Sequence, residues 1–243
     1  MKKIIIAAAA LLVLLTTFAL APQHAKAQEL SVDPSATITS RFIYRGLDLG
    51  SSPQIQPSVA FNYDNFNFTL WGSHPLSLTP DGTEYKEVKF WMNYTFDLGN
   101  MTLTPQFENH FDANTDVFDL DEETTTHVWQ ASVRAAAKGD VAPDLLVGYA
   151  FSGIQGFEPT LYVEPGVAFS AGDTGLRAFL SSQYSEEGGF IDLGYEGDFV
   201  FTQVGLSASK DLRISDSFTV PMSVMVVINP ETERAFTAFS VNF

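Results

Sequence analysis

From residue 36 to the end, apolar and polar side chains alternate along most of the chain. A period of two belongs to strands whose two faces meet different surroundings. Between Gln54 and Tyr63 the odd positions are Ile55, Pro57, Val59, Phe61 and Tyr63, and the even ones Gln54, Gln56, Ser58, Ala60 and Asn62. Val88, Phe90, Met92 and Tyr94 alternate in the same way with Glu87, Lys89, Trp91 and Asn93. No stretch after residue 28 carries apolar residues at helical spacing. The pattern predicts an all-β chain of about 12 strands, at 36–45, 54–63, 66–74, 86–97, 101–110, 126–136, 144–151, 159–170, 175–184, 200–210, 218–228 and 234–243. Lengths of roughly 10 residues suit tilted strands that cross a bilayer.

The links between strands carry a second pattern. Longer ones at 46–53, 75–85 and 111–125 are separated by the tight links Asp64-Asn65 and Leu98-Gly99-Asn100. Later links fall at 137–143, 152–158, 171–174, 185–199, 211–217 and 229–233, of which 137–143 breaks the regularity. Long loops at one end and short turns at the other are the layout of an antiparallel transmembrane β-barrel, with the long side outward. In 185–199, Ile191, Leu193 and Tyr195 alternate with Asp192 and Gly194, and the segment reads as a structured outer loop.

A soluble sandwich gives the same period. Strand length, unequal links and the polar face favour the barrel. That face is mostly Ser, Thr, Asn, Gln, Gly and Ala, where a soluble sheet usually shows water many Lys and Glu. The chain's 21 Phe, together with Tyr44, Tyr63, Tyr94, Trp129 and Tyr149, supply aromatics for a membrane-facing girdle.

The two ends agree with export. Lys2 and Lys3 precede an apolar run at 4–20 and the tripeptide Ala25-Lys26-Ala27, the layout of a signal peptide cleaved after Ala27. A retained anchor is the competing reading, and Ala-x-Ala favours cleavage. The expected division is a signal peptide at 1–27 and a barrel at 28–243, bound for the cell outer membrane. Phe239, Val241 and the terminal Phe243 share one face of the last strand and resemble the C-terminal assembly signal of outer-membrane proteins, which makes the barrel-assembly machinery an expected partner.

Charge and composition then remove alternatives. Cleavage takes away Lys2, Lys3 and Lys26, leaving 10 basic residues against 29 acidic ones and a net charge of −19. No nucleic-acid partner is expected. With no cysteine, disulfides and thiolate metal sites drop out. An enzyme would have only His74, His110 and His127 as neutral-pH bases. Ser73 and His74 are strand neighbours and point to opposite faces. No Gly-x-Ser-x-Gly elbow or zinc-type His pair is present. The chain is read as no enzyme, with His110 satisfying interior hydrogen bonds.

The segment 39–57, centred on Tyr44-Arg45-Gly46, resembles the first hairpin of the bacterial putative porins called the TorF family. The stretch 207–221, followed by Asn229-Pro230 and the last strand, is similar to the same family. The two cover about a quarter of the chain. The resemblance implies a small outer-membrane barrel with a channel role and carries over no catalytic residue.

Strand parity places Arg41, Arg45, Glu87, Lys89, Glu108, Arg134, Glu164 and Arg177 inside the barrel. Opposite charges there either set up a transverse field across an aqueous pore or pair up and fill it. Trp71, Trp91, Tyr162 and Phe179, also inward, argue for a narrow bore. The expected function is porin-like passage of small hydrophilic solutes, shaped by those eight charges. The alternative is a closed structural or adhesive barrel acting through acidic outer loops. In one of these, Asp112, Asn114, Asp116 and Glu123 stand at relative positions 1, 3, 5 and 12, the oxygen spacing of an EF-hand. Val117 replaces the turn glycine, so a solvated acidic loop is the first reading and a Ca²⁺ or Mg²⁺ site bridging to outer-membrane lipopolysaccharide the second. No other cofactor is expected.

Overall fold

The computed structural model describes residues 29–77, 85–121, 123–153, 157–186, 199–216 and 218–243. The expected signal peptide and the alternation at 191–195 lie outside them. In chain order the strands are β1 Ser31–Thr39, β2 Phe42–Tyr44, β3 Leu47–Gly50, β4 Gln54–Tyr63, β5 Phe66–Pro75, β6 Glu87–Tyr94 and β7 Phe96–Asp97. They continue as β8 Met101–Asp112, β9 Val128–Ala137, β10 Val141–Ser152, β11 Thr160–Ala171, β12 Thr174–Ser185, β13 Phe199–Ser215, β14 Phe218–Asn229 and β15 Arg234–Asn242.

Among the described residues the wall is a closed antiparallel barrel of 12 strands. Each wall strand pairs with the next, β6 pairs directly with β8, and β7 prolongs β6 past Thr95. β15 closes the ring on β1 through Thr37↔Asn242, Ile38↔Val241 and Thr39↔Ser240.

The faces are inverted relative to a soluble protein. Ile228 is 51% and Leu206 49% exposed, while Gln54 is fully buried and Glu87 is 2% exposed. An apolar exterior around a polar interior is stable when lipid surrounds it. On that exterior Phe61, Phe68, Phe90, Trp129, Phe107 and Phe151 form a chain of ring contacts from strand to strand, with centroids 5.5–6.3 Å apart.

The links are more regular than sequence patterning indicates. Pro143 lies inside β10 opposite Val167, so the expected link at 137–143 shortens to the turn 138–140. Proline lacks the ladder donor and reads as a strand breaker. β13 likewise continues to Ser215, through most of the expected 211–217 link. Short turns and both described ends of the chain now share one end of the barrel. At that end Lys210 lies 2.9 Å from Asp173 and holds its carboxyl below the usual range by hydrogen bond and charge.

The largest departure is the first strand. The expected strand 36–45 is in fact β1 followed by a bend, and the wall ladder with β4 runs from Ser31↔Asn62 to Thr39↔Gln54. At Ser40 the chain leaves the wall and turns into the lumen as the β2–β3 hairpin. Its tip residues Arg45 and Gly46 have φ of 49° and 84°, the left-handed pair of a type I′ turn.

The seam beside β1 is held partly by the last residue. Phe243 N–H donates to the Ala36 carbonyl at 2.9 Å, and Ala36 N–H returns a bond of 3.0 Å. Deleting Phe243 removes both, at a cost of about 1–3 kcal/mol. Urea unfolding of the refolded barrel in detergent should show a correspondingly lower midpoint; an unchanged midpoint would place the seam's strength elsewhere.

Candidate functional site: the barrel lumen

The hairpin crosses the lumen from β1 to the far wall. At its base Arg41 Nη1 donates to Asp48 Oδ2 at 2.9 Å, tying β2 to β3, and its guanidinium lies 5.7 Å from the Phe236 ring centre. Phe42 packs on Trp71 at 5.7 Å and on Tyr85 at 6.2 Å. Midway, the Tyr44 ring meets His110 edge-on at 5.7 Å, with the Lys89 ammonium 4.9 Å from its centre.

The tip is seated on three wall strands and the end of a fourth. Arg45 Nη2 donates to Gln130 Oε1, and its guanidinium stacks 4.1 Å from the Tyr162 ring centre. Asn229 Nδ2 donates to the Gly46 carbonyl at 3.1 Å. A Cβ on Gly46 would fall 1.9 Å from the Thr202 carbonyl oxygen, so a side chain there is excluded by the wall as well as by φ.

Two ionic groups line the wall around it. In the first, His110 Nδ1 lies 2.8 Å from Glu87 and Nε2 lies 3.0 Å from Glu108. Lys89 approaches Glu87 at 3.5 Å, and Gln130 and Gln106 both donate to Glu108. In the second, Arg177 donates to Asp144 at 2.7 Å and Glu164 at 2.8 Å. Arg134 also reaches Asp144 and stands 3.8 Å from Glu164, whose other oxygen accepts from Tyr162 and Gln203. Gly166 makes room for this group, since a Cβ there would fall 2.6 Å from Arg177 Nη2.

All eight charged residues placed inward by parity face the lumen, although Arg41 and Arg45 do so on the hairpin and not on the wall. Parity reasoning missed Asp48, in what reads as a loop, and Asp144, at the end of a strand drawn too short. Asp144 stands across from Ala136 and Gly166, and it meets Arg134 diagonally from β9 and Arg177 from β12 over the space that Gly166 leaves. Trp71, Tyr162 and Phe179 border the remaining space as expected. Ser73 is buried and shared by Gln54 and Gln56, while His74 points outward from the barrel. His127 lies outside the lumen, between Asn109 and the Val117 carbonyl.

The free space lies beneath the hairpin, toward the short-turn end. A cavity of about 480 Å³ is bordered by Arg45, Glu108, Arg134, Arg177, Ser207 and Met225. A second of about 350 Å³ reaches Arg41, Trp71, Ser209 and Ser240 and shares Ile43, Ser207 and Met225 with the first. The charged groups sit on β6 to β12. The opposite wall, on β13 to β15 with β1 and β4, is lined by Ser207, Ser209, Ser223, Ser240, Met225 and Gln56. Above the hairpin the lumen is packed, with Gln54, Ser73, Thr160 and Asn229 fully buried.

In the outer loop after β8 the acidic side chains turn on their own backbone. Asp112 Oδ1 accepts from Asn114 N–H at 2.8 Å, Asp116 from Phe118 at 2.9 Å, Asp119 from Asp121 at 3.1 Å and Asp121 from Glu123 at 3.0 Å. These are successive Asx turns. Among the described residues no three His, Asp or Glu converge as a metal site.

The class that the fold defines is the closed antiparallel β-barrel of twelve strands, here with a polar, ion-paired interior. The same fold is found in the NanC porin, solved in a rhombohedral crystal form, at a TM-score of 0.56 and 8% sequence identity over 86% of this chain and 98% of that one. At that identity the likeness is one of fold. No family model matches the chain, and no curated protein matches it.

Proposed function

We propose that this protein is an outer-membrane channel giving narrow, passive passage to small hydrophilic solutes, with the β2–β3 hairpin as its constriction. The observation that carries the reading is the polar, ion-paired cavity of about 480 Å³ enclosed by a wall whose outer surface is apolar. The short-turn end with both described chain ends faces the periplasm, and the acidic long loops face outward, against lipopolysaccharide. The resemblance of 39–57 to the TorF-type putative porins supports the same reading, and so does the porin fold. Arg134 and Arg177 with Asp144 and Glu164 form the charged side of the path, and the serine-rich wall its neutral side. Phe239, Val241 and Phe243 face lipid at the closing strand, where the barrel-assembly machinery would read them.

Liposome swelling with sugars of graded size tests this. Pentoses should enter slowly and trisaccharides should be excluded. Proteoliposomes as tight as empty ones to every sugar would defeat it.

One observation favours the second reading, a closed barrel working through its outer loops. The hairpin tip is locked on the far wall, and the lumen above it is filled by packed polar side chains. In that reading Asp112, Asn114, Asp116 and Glu123 with Ca²⁺ or Mg²⁺ would join the surface to lipopolysaccharide, and chelator would release the protein's lipid without any change in permeability.

A further inference from the structure

The seat of the hairpin tip has the chemistry of a site for an organic cation. Arg45 occupies the first central position of a type I′ turn, where Gly, Asn or Asp is the usual choice. A β-carbon is disfavoured in that left-handed conformation. Backbone preference therefore does not explain the arginine. What the guanidinium touches does.

It lies over the Tyr162 ring at 4.1 Å, approaches Tyr44 at 5.0 Å and donates to Gln130, which in turn donates to Glu108. A planar cation between aromatic faces, with a carboxylate behind the amide, is a combination that recognises guanidinium better than ammonium. Charge points the same way: Glu108, behind Gln130, and its neighbour Glu87 place two carboxylates beside the seat.

The approach from outside is acidic. Among the described residues at the long-loop end Asp116, Asp121, Glu123, Glu186 and Glu233 are exposed, against an exposed Arg234 and a half-buried Lys86. Such a mouth concentrates cations and repels anions.

We propose that the Arg45 seat is a binding site for small organic cations bearing a guanidinium group, held shut by the chain's own arginine, and that such solutes open the channel by taking its place. The inference rests on the channel reading above and names its solute class. The apparent affinity of the seat is low while Arg45 competes for it, because only the fraction of molecules with the tip withdrawn can accept ligand.

Agmatine, which carries a guanidinium and an amine without a carboxylate, is the probe. Calorimetry on the refolded full chain in detergent should show that Arg45→Ala binds agmatine about tenfold or more tightly than the native protein, since the internal competitor is gone. Removal of a cation thus strengthens cation binding. Gly46→Val unseats the tip without altering any group of the site and should raise affinity in the same direction, which covers a failure of Arg45→Ala to fold. Agmatine on the long-loop side of a planar bilayer should raise the open probability of the native channel, and glucitol should not. Equal or weaker agmatine binding by both variants, or an equal effect of glucitol, overturns the cation seat and leaves the channel intact. Silence of every variant in the bilayer overturns the channel reading, while calorimetry still decides the seat.

Discussion

A chain in which residues 41–52 are replaced by a short glycine–serine turn admits sugars several-fold faster than the native chain and accepts larger ones. The reason is topological. Thr39 and Gln54 are cross-strand partners in the β1–β4 ladder, so a short hairpin turn can join these strands without changing the wall register. The excised segment contributes no strand to the barrel. Its removal exposes Gln130, Tyr162 and Asn229 to water, where they find new partners, and joins the cavities beneath it to the long-loop end. Liposome swelling with pentoses and trisaccharides measures the change. An unchanged size limit in a variant that still folds would mean that the outer loops, not the hairpin, set the constriction.

The second large effect concerns the four charges on β9 to β12. Asp144→Asn combined with Glu164→Gln leaves Arg134 and Arg177 with no carboxylate in reach, and the lumen gains two unmatched positive charges. The zero-current potential in a KCl gradient should move toward the chloride potential. Arg134→Gln with Arg177→Gln should move it toward potassium. Stability should fall by about 1–3 kcal/mol in the first variant, less than for a fully buried pair, because Arg134 and Arg177 are 39% and 24% exposed to the lumen. Identical potentials for both variants would show that ions do not pass this quartet.

Much of this architecture is legible in the sequence. In a barrel the side-chain period is two for the whole strand, so parity alone carried Glu87, Lys89, Glu108, Arg134, Glu164 and Arg177 to the inner face. The unequal links gave the polarity of the barrel, and the structure made them more regular once Pro143 moved into β10. What alternation does not reveal is where a strand stops being wall. Arg41, Phe42, Ile43 and Tyr44 continue the parity of β1 without a break, although the chain has already bent inward at Ser40. The cue was local: a Tyr44-Arg45-Gly46-Leu47 run with glycine at the second turn position, placed where a wall strand would still need length. Asp48 was missed because an acidic residue in a presumed loop reads as solvated, and Asp144 because the first residue of a strand drawn too short reads as its solvated end; the arginines it meets are diagonal to it and two strands away. The acids after β8 also serve the loop's own backbone, since Asp112, Asp116, Asp119 and Asp121 each accept from the amide two residues on.

The account stands most directly on whether the purified native protein conducts. In a planar bilayer at high salt it should give small discrete current steps that open and close, as expected for a polar lumen crossed by a hairpin that leaves its seat intermittently. A membrane that stays silent at every salt and voltage, with the native chain and with the chain lacking residues 41–52, would contradict it.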